Sequence, residues 1–333
     1  MKDIADVCGT SVPTVSYVLS GSKKRYVNAE LRASILECAA ALGYTPVKRK
    51  EKPSAYPRIA VVLPQIENIF FRRMIIGIET VLYAGGYIPV LFHSGDDPER
   101  ESRILDVIAS EGCSGFLLVP SDKSRISEET LQRLNKPYVV AERPLPCEGE
   151  YDFFSMDNFD AGYRATQELI RAGHRHIGFI GWQTSALTLL DRRLGYARAL
   201  EEANILYRPE YVYGCSFSEE DCYRITRELL SSQHSITALI FAYHVPGLGG
   251  VRFLRDAGYR IPEDISVFVI GDPSWVEMST PAFSHITLPS GDVGSMAAKA
   301  LVRQLREGAG NTRERVALMG RLVRGSSVAR PAP

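Results

Sequence analysis

The chain has 333 residues, 45% of them hydrophobic, and its 39 basic and 39 acidic side chains give a formal net charge of zero. This composition indicates a globular protein of two or three domains. No apolar run reaches the roughly 18 residues of a membrane span, and the N-terminus lacks the apolar stretch of a secretory signal, so a cytoplasmic protein is expected. The six cysteines lack CxxC spacing and are expected to be reduced thiols.

The neutral total hides a basic head and an acidic body. Residues 1–58 carry ten Lys and Arg against five Asp and Glu, a net charge of +5, whereas residues 59–333 carry a net charge of −5. A concentrated positive charge attracts the phosphate backbone of nucleic acids. DNA is therefore the first candidate partner.

The first 46 residues contain three short helical patterns around one small apolar core. The first pattern ends at Gly9, which permits a sharp turn between helices. The third is placed to be capped by Asn28 and ended by Gly43. Its predicted inward positions are Leu31, Ile35, Leu36, Ala39 and Leu42. Small helical domains of any function show such stripes, but the turn, the cap and the spacing together favour a helix-turn-helix domain over residues 1–46.

The second pattern is typical of a recognition helix. Ser11 is placed to cap it, and Pro13 falls in its first turn, where a backbone N–H has no intrahelical partner. The predicted inward positions are Val15, Val18 and Leu19. The outward positions, which such a helix presents to the major groove, are Val12, Pro13, Ser16 and Tyr17.

A polar stretch without apolar periodicity, residues 47–57, is predicted to be a linker, and from Arg58 onward short apolar runs alternate with amphipathic segments. The predicted strands are residues 59–63, 87–92, 115–119, 138–141, 176–180, 238–242 and 265–270. The predicted helices are residues 70–84, 98–111, 159–172, 191–203, 219–231, 247–257 and 291–307. This alternation predicts doubly wound parallel sheets in two lobes that face a cleft.

The loops after the strands are the expected ligand-binding segments, because ligands in such folds bind beyond the carboxyl ends of the strands. These loops are residues 64–71, 92–97, 142–147, 182–192, 243–247 and 271–276. The sequence contains no phosphate-binding GxxxxGK[ST] motif, no nucleophile elbow and no HExxH motif, so neither an enzyme nor a metal or cofactor is expected.

Motifs that match in order over essentially the whole chain resemble the LacI/GalR family of bacterial transcription regulators. The matching segments are KDIADVCGTSVPTVSYVLSG, LGYTP, PQIENIFF, GDDPERE, SMDNFDAGY, AGHRHIGFIG, RRLGYARALEEA and IPEDISV. The resemblance implies a three-helix DNA-binding domain followed by an α/β, two-lobed, type I periplasmic-binding-protein-like domain at residues 58–333. The implied N-lobe covers about 58–157 and 290–325 and the C-lobe about 158–289, with crossings between lobes near 158, 240–250 and 289.

The resemblance also assigns roles in DNA binding. It implies base reading by Val12, Pro13 and Tyr17 and backbone contacts by Thr14 and Ser16. Tyr17 stands where the family often has arginine, so the operator is expected to differ from the usual sequence. The linker lacks the leucines that the family inserts into the minor groove. It either contacts phosphates through basic residues, Lys48 and Arg49 among them, or serves only as a tether.

Finally, the resemblance implies a homodimeric repressor on a near-palindromic operator, controlled by a small molecule bound between the lobes. The matched effector positions are Phe70, Phe71, His93, Arg143, Arg192, Phe217, Tyr243, Asp272 and Trp275. His244 departs from the usual residue, and Gly271 replaces an acidic one. These residues suit the binding of a sugar or an anionic metabolite. The alternative interpretation is that they are ordinary core aromatics and surface arginines with no role in binding. A solute-binding protein and a regulator that no longer responds to a ligand are the alternative functions.

Overall fold

The computed structural model describes residues 1–19, 27–42, 44, 56–110, 112–182, 187–216, 218–233, 235–272, 274–308 and 313–332. The chain divides into two compact units, Met1–Ala55 and Tyr56–Pro333. Most of the predicted linker, residues 47–55, lies outside the described residues, and so do Lys48, Arg49 and Gly43.

The first unit consists of three helices, α1 (Lys2–Val7), α2 (Val12–Leu19) and α3 (Ala29–Ala41). Gly9 turns the chain between α1 and α2 with a φ of 59°. The Ser11 hydroxyl accepts the Thr14 backbone N–H at 3.4 Å, and the Asn28 side chain accepts that of Glu30 at 3.0 Å, so both predicted caps form. The buried core is Ile4, Ala5, Val15, Val18, Ile35 and Ala39.

The prediction that Leu36 and Leu42 face this core is wrong. Leu36 is 48% exposed and Leu42 is 56% exposed. Ile35 and Ala39, four residues apart, define the buried face of α3, and the neighbouring position 36 is rotated away from it by about 100°. Leu42 follows the last residue of the helix, where the helical period no longer directs side chains inward.

The second unit contains two six-stranded sheets, each forming one lobe. The first sheet consists of β1 (Arg58–Leu63), β2 (Ile88–His93), β3 (Cys113–Leu118), β4 (Tyr138–Ala141), β5 (Phe153–Met156) and β11 (Arg315–Leu318), in the order β11-β5-β4-β3-β1-β2. The second consists of β6 (Ile177–Trp182), β7 (Val212–Cys215), β8 (Ala238–Phe241), β9 (Ser266–Ile270), β10 (Ser284–Ile286) and β12 (Leu322–Val323), in the order β12-β10-β9-β8-β6-β7. All strand pairs are parallel except β10 with β12.

Helices cover these sheets. They are α4 (Ile69–Ala84), α5 (Pro98–Ser110), α6 (Glu128–Leu134), α7 (Asn158–Arg171), α8 (Leu187–Glu202), α9 (Glu219–Ser232), α10 (His244–Asp256), α11 (Ser274–Met278) and α12 (Ser290–Glu307). All seven predicted strands and all seven predicted helices are present, which confirms the fold class. The strands that the sequence did not reveal are β5, β7, β10, β11 and β12, with two to four residues each.

The chain passes between the two sheets after β5, after β10 and between β11 and β12. The first two crossings lie beside residues 158 and 289, as the family resemblance implies. The predicted crossing near 240–250 is wrong, because β8, α10 and β9 all belong to the second lobe; the third crossing is instead at residues 319–321. β12 is a two-residue strand that pairs antiparallel with β10, too short to leave a sequence pattern.

Glycines allow α7 and α8 to pack with their backbones in contact. A Cβ atom at Gly162 would lie 1.9 Å from the Arg192 carbonyl oxygen, and one at Gly195 would lie 2.1 Å from the carbonyl oxygen of Phe159. Both distances are far below van der Waals contact, so neither position has room for a side chain. This close approach places the α8 residues, Arg192 among them, against the start of α7.

Replacing Gly162 with alanine is expected to lower the free energy of unfolding by about 2 kcal/mol, because the methyl group forces the two helices apart. Gly291→Ala is the matched control, since its Cβ would meet only the Arg73 carbonyl oxygen, at an ordinary 3.7 Å. Urea unfolding of both variants measures the difference. Equal stabilities would contradict backbone contact between α7 and α8.

Candidate functional site

The outward face of α2 is the candidate DNA-reading surface. Val12 is 40% exposed and Tyr17 is 36% exposed, and Pro13 and Ser16 lie on the same exposed face. Thr14 borders this face half-buried, its hydroxyl 2.9 Å from that of Ser11. Because α2 carries no charged residue, its face offers apolar and hydroxyl groups to base edges.

The second unit contains a cavity of about 40 Å³ where the loops beyond the two sheets meet. It is lined by Gln65, Asn68, Phe70, Phe71, Glu142, Arg143, Thr188, Arg192, Tyr243, His244 and Leu288. Of the predicted effector residues, it brings together Phe70, Phe71, Arg143, Arg192 and Tyr243. His93, Asp272 and Trp275 are not among the lining residues, and Phe217 lies outside the described residues.

Two phenylalanines at the start of α4 form the apolar side of this cavity. The Asn68 side chain accepts the Phe70 backbone N–H at 3.0 Å and thereby caps the helix. The rings of Phe70 and Phe71 then meet edge to face, with centroids 5.3 Å apart. Both side chains are buried, at 6% and 4% exposure, so the capped helix presents a rigid aromatic wall.

Arg192 joins three parts of the second lobe beneath the cavity. Its Nε donates to Asn158 Oδ1 at 2.8 Å and its Nη1 donates to the Ala242 carbonyl oxygen at 2.5 Å. Its guanidinium carbon lies 4.3 Å from the centroid of the Tyr243 ring, in cation–π contact. The side chain is 2% exposed, so its guanidinium contacts protein groups and not solvent.

The other lining arginine, Arg143, is also paired. Its Nη1 lies 2.5 Å from Asp96 Oδ1 and donates to the Pro120 carbonyl oxygen at 3.1 Å. Glu142, which the sequence analysis did not select, is buried beside it and accepts the Met156 backbone N–H at 3.2 Å. Burial raises the pKa of the Glu142 carboxyl, while the Met156 amide and Arg192 oppose the increase.

Asp272 forms an ion pair between the lobes. It follows β9 of the second lobe, and its carboxylate pairs with Arg73 on α4 of the first lobe. Arg73 also donates to the Asp272 carbonyl oxygen at 3.2 Å, and the carboxylate accepts the Leu288 backbone N–H at 3.1 Å. The contact therefore ties the two lobes together.

The remaining candidates lie apart from the cavity lining. His93 ends β2 half-buried, and Trp275 packs edge to face on Phe283 of the second-lobe core, with centroids 5.6 Å apart. Several lining residues were not predicted as effector positions: Gln65, Asn68, Glu142, Thr188, His244 and Leu288. All except Leu288 lie in loops that were predicted to line the cleft, so their position after a predicted strand could have identified them.

His244, which stands where the family usually has another residue, also lines the cavity. It begins α10, its side chain is 2% exposed, and neither ring nitrogen has a hydrogen-bond partner among the described residues. Burial lowers the pKa of His244 to about 4, with Arg192 and Arg73 adding to the shift and Asp272 opposing it. The ring is therefore neutral at neutral pH.

Comparisons with known proteins agree with this architecture. Residues 1–47 match the bacterial regulatory proteins of the lacI family, and residues 166–328 match the periplasmic binding protein-like domain. The HTH-type transcriptional repressor PurR of Serratia proteamaculans is 30% identical over 312 residues, 92% of this chain and 90% of the repressor. The chain belongs to the LacI family. PurR of Haemophilus influenzae is 29% identical, again over 92% of this chain and 90% of its own length.

Solved structures of LacI-family regulators have the same fold. The transcriptional regulator CelR in complex with cellobiose matches with a TM-score of 0.72 and 26% identity over 97% of this chain and 98% of its own. A regulator from Enterococcus faecium with bound ribose matches with a TM-score of 0.71 and 27% identity, over 82% of this chain and 99% of its own. This LacI-family chain is thus a DNA-binding transcriptional regulator with an effector-binding body, as predicted.

The described residues contain neither a membrane span nor a metal cluster. None of their helices is long and apolar enough to cross a membrane. No group of three or more His, Cys, Asp or Glu is arranged to hold a metal ion in the part of the chain that the structure describes.

Lowering the pH from 6.5 toward 4 is expected to destabilise the wild type more than His244→Gln. The unfolded state takes up a proton at the ordinary histidine pKa of 6.5, whereas folded His244 does so only at about 4. The stabilising contribution is therefore complete above pH 6.5 and is lost as the pH falls, by at most about 3 kcal/mol. Urea unfolding at several pH values measures it, and parallel curves for the two proteins would refute it.

A double-mutant cycle of Arg73→Met and Asp272→Asn is expected to give a coupling energy of about 1 kcal/mol, since the pair is partly exposed. The matched control is Arg133 with Asp106, a surface pair whose side chains are 59% and 60% exposed. Its coupling is expected to be near zero. Urea unfolding supplies all the free energies, and equal coupling in both pairs would rule out a special role for the pair between the lobes.

Proposed function

We propose that this chain is a homodimeric repressor that reads a near-palindromic operator with α2 and is controlled by a small sugar-like effector bound between its lobes. It works in the cytoplasm and catalyses no reaction. The observation that carries the proposal is a helix-turn-helix unit with an exposed, uncharged reading face, in one chain with a two-lobed body whose cavity draws residues from both lobes.

The chemistry of α2 supports readout without arginine. Tyr17 offers a ring for a thymine methyl group and one hydroxyl, whereas an arginine would make a bidentate contact to guanine. The net charge of +5 over residues 1–58 supplies the attraction to phosphates. We therefore expect the operator to contain less guanine at the positions that Tyr17 reads.

The charges around the cavity support a neutral effector over an anionic metabolite. Among the described lining residues, Arg143 is paired with Asp96, and Arg192 is held by Asn158 and Ala242 and lies near Glu142. An anion therefore finds no arginine that is not already engaged. The aromatic wall suits the apolar face of a sugar ring, and cellobiose and ribose are the ligands of the two structural relatives.

The size of the cavity implies movement on binding. Its volume of about 40 Å³ accommodates a few waters, whereas small-molecule pockets usually measure about 300 Å³ or more. An effector therefore enters only when the lobes separate, and the Arg73–Asp272 pair favours the closed arrangement. The small cavity and the Arg73–Asp272 pair also make a regulator without ligand response the second candidate function.

Selection of bound sequences from a random DNA pool is expected to yield an inverted repeat that changes or loses enrichment with Tyr17→Ala, since the ring and hydroxyl contacts of Tyr17 to the bases are removed. Tyr207→Ala is the control, because Tyr207 is equally exposed at 36% but lies in the second unit. It is expected to select the wild-type sequence. The same sequence from Tyr17→Ala, or a single unrepeated site, would contradict the proposed reading mode.

A further inference from the structure

His244 is a buried polar side chain beside the cavity of the second unit. Its imidazole is 2% exposed and lines the cavity, and neither Nδ1 nor Nε2 has a hydrogen-bond partner among the described residues. A buried polar atom without a partner destabilises the folded state, and such atoms are rare in native proteins. Two on one ring call for a physical explanation.

This fold does satisfy a buried imidazole elsewhere. His174 is 1% exposed, its Nδ1 lies 2.9 Å from Thr237 Oγ1, and its Nε2 lies 2.9 Å from the Ala329 carbonyl oxygen. Both histidines belong to the second lobe and are equally buried. The difference is that His174 is enclosed by protein acceptors and donors, whereas His244 adjoins the cavity.

Gly271 provides the space that the His244 ring occupies. A Cβ atom at Gly271 would lie 2.5 Å from His244 Nδ1, and the residue has a φ of 131°, which side-chain-bearing residues rarely adopt. Any larger residue at 271 would displace the ring. The absence of a side chain at position 271 therefore leaves room for the imidazole beside the cavity.

We propose that His244 is a specificity-determining residue of the cleft, whose two ring nitrogens hydrogen-bond to hydroxyl groups of a neutral polyol effector. A neutral imidazole has one N–H donor and one acceptor nitrogen. Hydroxyl groups both donate and accept, so neighbouring hydroxyls of a polyol complement the ring. Burial, Arg192 and Arg73 keep the ring uncharged by lowering its pKa, and Asp272 opposes them. This inference rests on the proposed function, in which an effector binds between the lobes.

Thermal-shift and calorimetric titration with D-ribose, D-glucose and cellobiose as probes tests the assignment. We expect at least one probe to stabilise the wild type and to bind about tenfold or more weakly to His244→Phe, which keeps a flat aromatic ring, somewhat larger than imidazole, and removes both nitrogens. His244→Gln, whose amide retains a donor and an acceptor, is expected to keep part of the affinity. The glutamine variant also keeps the assignment testable if the phenylalanine variant does not fold.

The ligand-free variants give an independent readout. His244→Phe is expected to leave the urea midpoint unchanged or higher, because it removes two unsatisfied atoms. His174→Phe is expected to lower the midpoint, because the Thr237 hydroxyl and the Ala329 carbonyl oxygen lose their hydrogen-bond partner. If His244→Phe is destabilised as much as His174→Phe, the nitrogens have partners within the protein and the assignment fails.

The remaining outcomes separate the assignment from the proposed function. Equal affinity of a probe for wild type and His244→Phe overturns the role of His244 and leaves effector control standing. The absence of any shift with the three polyols also overturns it, and stabilisation by inorganic phosphate would then indicate an anionic effector in the same cleft. Weakened polyol binding confined to the His244 variants supports the assignment.

Discussion

The shape of the cleft depends on the buried guanidinium of Arg192. It fixes the first residue of α7 through Asn158, the end of β8 through the Ala242 carbonyl, and the ring of Tyr243 through its face. These groups come from two segments of the second lobe, the start of α7 and the loop after β8, and Arg192 on α8 joins them. Losing the guanidinium would leave two buried hydrogen-bonding groups unsatisfied, which is more costly than losing a surface contact. The contact between α7 and α8, made possible by Gly162, keeps the arginine in reach.

Pairing of charge is the second organising feature of the cleft. Arg143 pairs with Asp96 within the first lobe, and Arg73 pairs with Asp272 between the lobes. Each pair sets the position of a loop rather than offering a free charge to solvent. The other described lining groups include an aromatic wall, an uncharged imidazole and the polar side chains of Gln65 and Thr188. Discrimination in such a cleft comes from hydrogen-bond matching and shape, since an unmatched polar group is penalised when water is excluded.

The sequence predicts those parts of the fold whose signal is local. Long apolar runs identify seven strands, and the caps at Ser11 and Asn28 are readable from residue type and spacing. The short strands β10 and β12 are defined by pairing between distant segments and leave no such pattern. The alternating topology predicts which loops surround the cavity. It does not predict which groups the side chains of these loops contact. Arg73 and Asp272 are 199 residues apart, and the lack of a partner for the His244 nitrogens among the described residues depends on three-dimensional packing.

The three segments that join the lobes are bonded to one another. The Asp157 backbone N–H donates to the Leu318 carbonyl oxygen at 2.9 Å, and the Thr287 N–H donates to that of Arg321 at 2.9 Å. The link at residues 319–321 extends over only about 10 Å when fully stretched. The lobes therefore cannot move apart as separate bodies along this edge. Opening of the cleft is then a rotation about one bonded strip, in which a given separation of the walls needs a smaller angle the farther the walls lie from that strip.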